Sequence, residues 1–210
     1  MIVRHFEHAI PAERRAFAPR HAESLDPVAS TEVRTALRQW PMYAPTPLHD
    51  LSKLAHALGV GRVWAKDESR REPLRSFKGL GGAYALAEAF REHVASISGG
   101  PSPSHESLWR GEHAAAAREY TVCAVTDGNH GRSLAWAAQA FGAPCRIYVP
   151  KAVSVTRRAL IAEFGATIVE VDGNYEAALA KAHADAAAHG WTLIQDTSFE
   201  GYTKHCQRIM

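Results

Sequence analysis

Residues 120–142 read YTVCAVTDGNHGRSLAWAAQAFG, and this stretch decides the fold class. Tyr120 to Thr126 reads as a strand run. Thr126-Asp-Gly-Asn-His-Gly131 follows, with two glycines that let the backbone turn sharply at the strand's carboxyl end. Gly131 to Phe141 reads as a helix, stopped by Gly142. The unit then recurs. Strands are predicted at Cys145–Val149, Thr167–Val171 and Trp191–Gln195. Helices are predicted at Ser154–Phe164, ended by Gly165, and at Tyr175–His189, ended by Gly190. Strands alternating with helices of this length build βαβ units. The expected class is α/β: a parallel sheet with helices on both faces.

Upstream the pattern is less regular. A short helix is predicted near Ser30 to Gln39, and the proline-punctuated Pro41–Pro47 cannot be regular structure. Leu48, Leu51, Leu54, Ala55 and Leu58 have helical spacing, closed by Gly59 and Gly61. Arg62–Ala65 reads as a short strand, and Gly79–His93 as an Ala-rich helix. Ser96–Ser107, rich in Ser, Gly and Pro, reads as a loop. The closing segment, Gly201 to Met210, starts a further element.

Composition narrows the function classes. The 210 residues carry a formal charge of only +2, too little to argue for nucleic acid or an anionic membrane surface. Pairs such as Arg70-Arg71 and Arg157-Arg158 read as solvated surface. The opening MIVRHFEHAIPAERR lacks the apolar core of a signal peptide, and no stretch approaches the roughly twenty apolar residues of a membrane span. The expected compartment is the cytoplasm. Three cysteines, odd in number and without a CxxC, argue against a disulfide framework. Twelve histidines raise the question of a metal, yet no HExxH or paired Cys/His spacing occurs, so none is expected.

Two motifs carry chemistry. In Ser76-Phe-Lys-Gly-Leu-Gly-Gly82 a lysine opens a helix, where the dipole disfavours a cation. A lone lysine there would normally bend out to water. The apolar Phe77 and the surrounding glycines instead favour an amine that loses its charge and forms a Schiff base. The second motif, Thr126–Gly131, lies where open α/β sheets bind ligands. Its plainer reading is a βα turn with Asp127 as the helix cap. No GxGxxG follows any strand, which weighs against a dinucleotide site.

Ser76-Phe-Lys78, preceded by Lys66-Asp-Glu68 and followed some fifty residues later by Gly128-Asn-His-Gly131, resembles the fold-type-II pyridoxal-phosphate enzymes. Thr46-Pro47-Leu48 resembles that superfamily's opening motif. Three details resemble the diaminopropionate ammonia-lyases: Asp127 in T-D-G-N-H, the run K-G-L-G-G-A-Y from Lys78, and Gln195-Asp-Thr-Ser-Phe-Glu-Gly-Tyr202. The resemblance implies pyridoxal 5'-phosphate anchored on Lys78, with Gly128, Asn129 and His130 as further cofactor contacts. It implies Asp127 and Asp196 as catalytic carboxylates on opposite faces of an amino-acid substrate, so that one site deprotonates both enantiomers of 2,3-diaminopropionate. It implies a homodimer. It also implies residues 1–82 as part of a large domain, 83–190 as a small α/β domain and 191–210 as the return into the large one.

The family is about twice this length. Its glycine-rich phosphate cradle and the partner of the ring nitrogen lie in the second half. The expectation is therefore a truncated chain with weak cofactor binding. Rival readings are another fold-type-II enzyme (a threonine dehydratase or cysteine synthase), a Rossmann-type nucleotide module and a non-catalytic fragment.

Overall fold

The structure, a computed structural model, describes residues 27–209. The chain divides into two compact units, residues 1–35 and 36–210. The described part of the first belongs to helix α1 (Pro27–Leu37), whose last residues fall in the second unit.

The second unit opens with a small hairpin. Strand β1 (Leu48–Asp50) pairs antiparallel with β2 (Trp64–Lys66), Leu48 opposite Lys66, and helix α2 (Ser52–Leu58) lies between them. This corrects the expected helix over residues 48–58. The apolar spacing there is real, but residues 48–50 are taken by pairing with a strand that helical periodicity does not register. Leu51 continues the ladder by donating to the Val63 carbonyl at 2.9 Å.

Helix α3 (Lys78–Ser98) is longer than the Ala-rich pattern suggests, running to a left-handed Gly99. Part of the polar stretch after it is also helical. Ser104 caps α4 (His105–Trp109), and α5 (Ala114–Arg118) follows.

From β3 (Val122–Val125) onward the alternation is as expected: α6 (Asn129–Phe141), β4 (Cys145–Pro150), α7 (Val155–Ala162), β5 (Thr167–Val171), α8 (Tyr175–His189), β6 (Thr192–Leu193) and a final α9 (Lys204–Ile209). The four strands form one parallel sheet in the order β5-β4-β3-β6. β3 is interior and buried throughout, which suits its unbroken apolar run.

Both faces of the sheet are covered. Cys123, Val125, Tyr148 and Leu193 pack against Ala178, Ala182 and Ala186 of α8. On the opposite face α6 lies so close that a Cβ at Gly131 would run into Thr126 and come within 3.0 Å of Ile147. Helix α3 packs outside α6, and at Gly82 a Cβ would sit 2.7 Å from Ser133 Oγ. Small residues on α3, α6 and α8 thus bring helices and sheet together closely enough to position their ends. Helix α9 is held to α3 by Lys204 and Arg208, which reach Glu92 at 2.7 and 2.5 Å. Among the described residues no helix is long and apolar enough to cross a membrane.

An aromatic cluster fills the space behind α3. Trp40 packs on Trp109, which touches Trp136 and Phe141. Trp40 Nε1 donates to His105 Nδ1 at 3.2 Å, leaving the opposite ring nitrogen to bond Glu88 at 2.8 Å, beside Arg91 at 2.5 Å. Burial would raise the Glu88 carboxyl, but its bonds to His105 and Arg91 outweigh that and hold it at about 2. A folded-state value depressed from 4.5 gives stability that is complete above about 4.5 and lost as pH falls toward 2. Glu88→Gln should therefore cost roughly 2–3 kcal/mol at neutral pH and flatten the acid limb of the stability curve. Urea titrations between pH 2 and 7 measure both. An unchanged acid limb would show that the pair contributes nothing.

Candidate active site

The carboxyl ends of β3 and β6 and the first turn of α3 converge on one cleft of ≈ 530 Å³. Lys78 is the first residue of α3, and its Nζ lies 2.6 Å from Asp196 Oδ2. Asp196 follows β6 by three residues, so the contact joins the start of a helix to the end of a sheet strand. Asp127 and Asn129 line the same cleft with exposed side chains. Gly128 lines it through backbone.

Thr126, not Asp127, caps the turn. Its Oγ1 accepts from the N–H groups of Gly128 and Gly131 at 2.9 and 3.2 Å. The hydroxyl thereby satisfies helix-terminal donors, and the Asp127 carboxylate is left to face the cleft. The plainer reading of Asp127 as a cap is thus corrected, because the threonine one position earlier takes the job.

His130 is buried at 3 % exposure. One ring nitrogen bonds the Ile194 carbonyl at 2.8 Å, and a carbonyl can only accept, so Nε2 carries the proton. The other, Nδ1, stands 4.0 Å from Asp196 Oδ2. Burial pushes the imidazole below its ordinary value, Lys78 adds to the effect, and Asp196 and the Ile194 carbonyl oppose it. At Asp196 burial favours the neutral acid, but positive charge at His130 and the Lys78 bond outweigh it and hold the carboxyl below its usual range. Burial works against a charged imidazole, and the direct contact Asp196 makes is with Lys78. His130 borders the cleft as a wall that ties α6 to the residue before Gln195.

Gln195 was legible only as part of a motif, and its work is structural. It is fully buried, with 0 % exposure. Its Oε1 accepts from the Val125 N–H at 2.9 Å and its Nε2 donates to the Val125 carbonyl at 3.0 Å. The side-chain amide thus serves as one more rung of the ladder between β3 and the β6 edge. Its own backbone N–H donates to Tyr202 Oη at 2.7 Å, and Tyr202 donates to the Leu193 carbonyl at 3.0 Å. The Tyr175 hydroxyl also meets the Gln195 amide. These bonds set where Asp196 stands.

Arg132, Arg157 and Tyr175 also line the cleft with no signal beyond their residue type, and Thr197 was legible only inside the Gln195–Tyr202 motif. Arg157 in particular reads as a solvated helix residue, and only the approach of α7 to the Thr126–Gly131 turn makes it part of the cleft. Among the described residues no group of three or more His, Cys, Asp or Glu could hold a metal ion.

The cleft suits an aromatic aldehyde cofactor of modest size. Its volume is in the range of small-molecule sites, an amine stands inside it beside a carboxylate, and Asn129 offers an amide at the rim. Gln195→Leu keeps the volume but strands the Val125 N–H and carbonyl without partners. An unmet buried pair of this kind should cost about 2–4 kcal/mol. Thermal and urea unfolding measure the loss, and a change below about 0.5 kcal/mol would show that the Gln195 amide does not close the ladder.

The family described as pyridoxal-phosphate dependent enzyme matches residues 40–208. A diaminopropionate ammonia-lyase of Salmonella typhimurium is 39% identical over 171 residues, which are 81% of this chain and 42% of the relative. The crystal structure of the Escherichia coli diaminopropionate ammonia-lyase in apo form superposes with a TM-score of 0.78 at 37% identity, covering 89% of this chain and 49% of the other. Its complex with D-serine gives 0.78 at 36% identity, covering 89% and 46%. The chain thus spans less than half the length of these relatives.

Proposed function

The chain belongs to the pyridoxal-phosphate-dependent enzymes, and from that premise we propose that it serves the α,β-elimination of 2,3-diaminopropionate to pyruvate and ammonia. The observation that carries the reading is the 2.6 Å contact of Lys78 Nζ with Asp196 in a cleft that Asp127 also lines. Relatives named diaminopropionate ammonia-lyase support the choice of substrate. When bound, pyridoxal phosphate supplies a sink for electrons released at the substrate's Cα.

The residues lining the cleft then divide the tasks. Lys78 is the covalent anchor, and a neighbouring carboxylate is well placed to take the proton its amine must lose. Asn129 is the candidate partner of the ring hydroxyl, with Gly128 and His130 shaping the wall behind it. Asp127 and Asp196 are the candidate bases at Cα. They come from different strand ends, which suits removal of a proton from either face of the substrate. Asp196 lies within reach of Lys78 Nζ and is held in its ionised form, the form that can take up a proton. The division at residues 82 and 190 belongs to the same proposal, since Lys78 stands just before one boundary and Asp196 just after the other. A homodimer, carried by the family resemblance, and the cytoplasmic setting expected from the sequence also belong to it.

Mixing the purified chain with pyridoxal phosphate and reducing with borohydride tests the anchor. Mass spectrometry should place the label on the peptide holding Lys78, and Lys78→Ala should remove it while leaving the circular dichroism spectrum unchanged. Label on Lys66 instead would overturn the assignment.

The carboxylates are tested by ammonia release from each enantiomer. Asp127→Asn and Asp196→Asn keep the shape and remove the base. Each should slow one enantiomer at least a hundredfold more than the other, on the order of a lost general base. Small, equal losses on both would reduce the two residues to structure.

A further inference from the structure

Lys78, Arg132 and Arg157 line the cleft against Asp127 and Asp196, and the structure commits the three cations differently. Lys78 is engaged with Asp196. Arg132 is half-buried on α6. Its Nη1 donates to the Leu74 carbonyl at 3.0 Å, and its guanidinium lies over the Phe164 ring at 5.5 Å. It braces the segment before Lys78 against the end of α7, and releasing it would strand the Leu74 carbonyl.

Arg157 is the remaining cation. It sits in the first turn of α7 with an exposed side chain. Its Nη1 reaches the Asp127 carbonyl at 3.5 Å, the outer limit of a hydrogen bond. Among the described residues no carboxylate pairs with it. A cation in a helix's first turn works against the macrodipole, so the helix does not favour it there either. The side chain leans over the turn that carries Asp127, with most of its guanidinium donors unspent.

We propose that Arg157 binds the α-carboxylate of the amino-acid substrate, and so selects amino acids over plain amines. This deepens the lyase reading and rests on it. A substrate carboxylate entering the cleft is repelled by both aspartates. Lys78 is taken by Asp196, or by the cofactor once loaded, and Arg132 is held as a brace. The guanidinium fork matches a carboxylate with two parallel N–H···O bonds. Giving up a single 3.5 Å contact to form them costs little. Its seat beside the Asp127 turn would hold the carboxylate end of the substrate near one proposed base.

The test compares 2,3-diaminopropionate with 1,2-diaminoethane, which keeps both amines and lacks the carboxylate. Both are titrated by NMR into the 210-residue chain without cofactor, following the amides of Asp127 and Gly128. The expected result is about tenfold tighter binding of the amino acid, as for a bidentate pair at a wet site. Arg157→Gln should erase that margin and leave the diamine's affinity unchanged. Borohydride trapping of pyridoxal phosphate on Lys78 should be the same in both proteins. A margin that survives in Arg157→Gln, or is absent from the unaltered chain, overturns the proposal. Loss of trapping in the variant also overturns it, and assigns the arginine to the cofactor's phosphate. Failure of the lyase reading looks different: the unaltered chain then traps no cofactor on Lys78.

Discussion

The contact between Lys78 and Asp196 spans 118 residues of chain, and the geometry of the cleft depends on it. Neither group would be comfortable alone. A cation at the start of a helix opposes the dipole, and a half-buried carboxylate loses hydration. Each answers the other's deficit, so the pair persists at a place where neither is locally favoured. Its net worth to stability is small, because both groups keep some access to water. Its worth is positional: it holds an amine and a carboxylate together at the junction of two secondary-structure elements.

That junction needs close approach of layers, and the composition supplies it. Ala178, Ala182 and Ala186 let α8 settle on the sheet, while Gly82 and Gly131 let α3 and α6 stack on the other face. Larger side chains would hold the layers apart and move Lys78 away from the strand ends. The alanine and glycine content of these helices is therefore a specification of distance as much as of helical propensity.

Most of the α/β part was legible from local signals. Gly142 and Gly190 end their helices with φ of 84° and 69°, values that glycine adopts freely, so those helix ends were readable to the residue. The strand over 167–171 was too. What was not legible depends on partners far along the chain. Residues 48–50 have helical spacing and yet pair with 64–66, and nothing local announces that partner. Thr126 and Asp127 are both good caps on propensity, and only the backbone path decides between them. The candidate anchor and both aspartates came from motifs. Arg157 did not, because its role depends on where α7 lies rather than on its neighbours in sequence.

Gln195 carries a different kind of consequence. Elsewhere in the sheet the rungs are peptide groups, which every residue except proline supplies alike, so inheritance can alter the side chains there without touching the ladder. At Val125 the last rung is a side chain. That rung is thus written in a single codon, beside the backbone bond from Ile194 to the Cys123 carbonyl. Most substitutions that drift into neighbouring strand positions leave the ladder intact, whereas nearly any at residue 195 opens its last rung. The architecture is tolerant of mutation along its strands and far less so at this stitch.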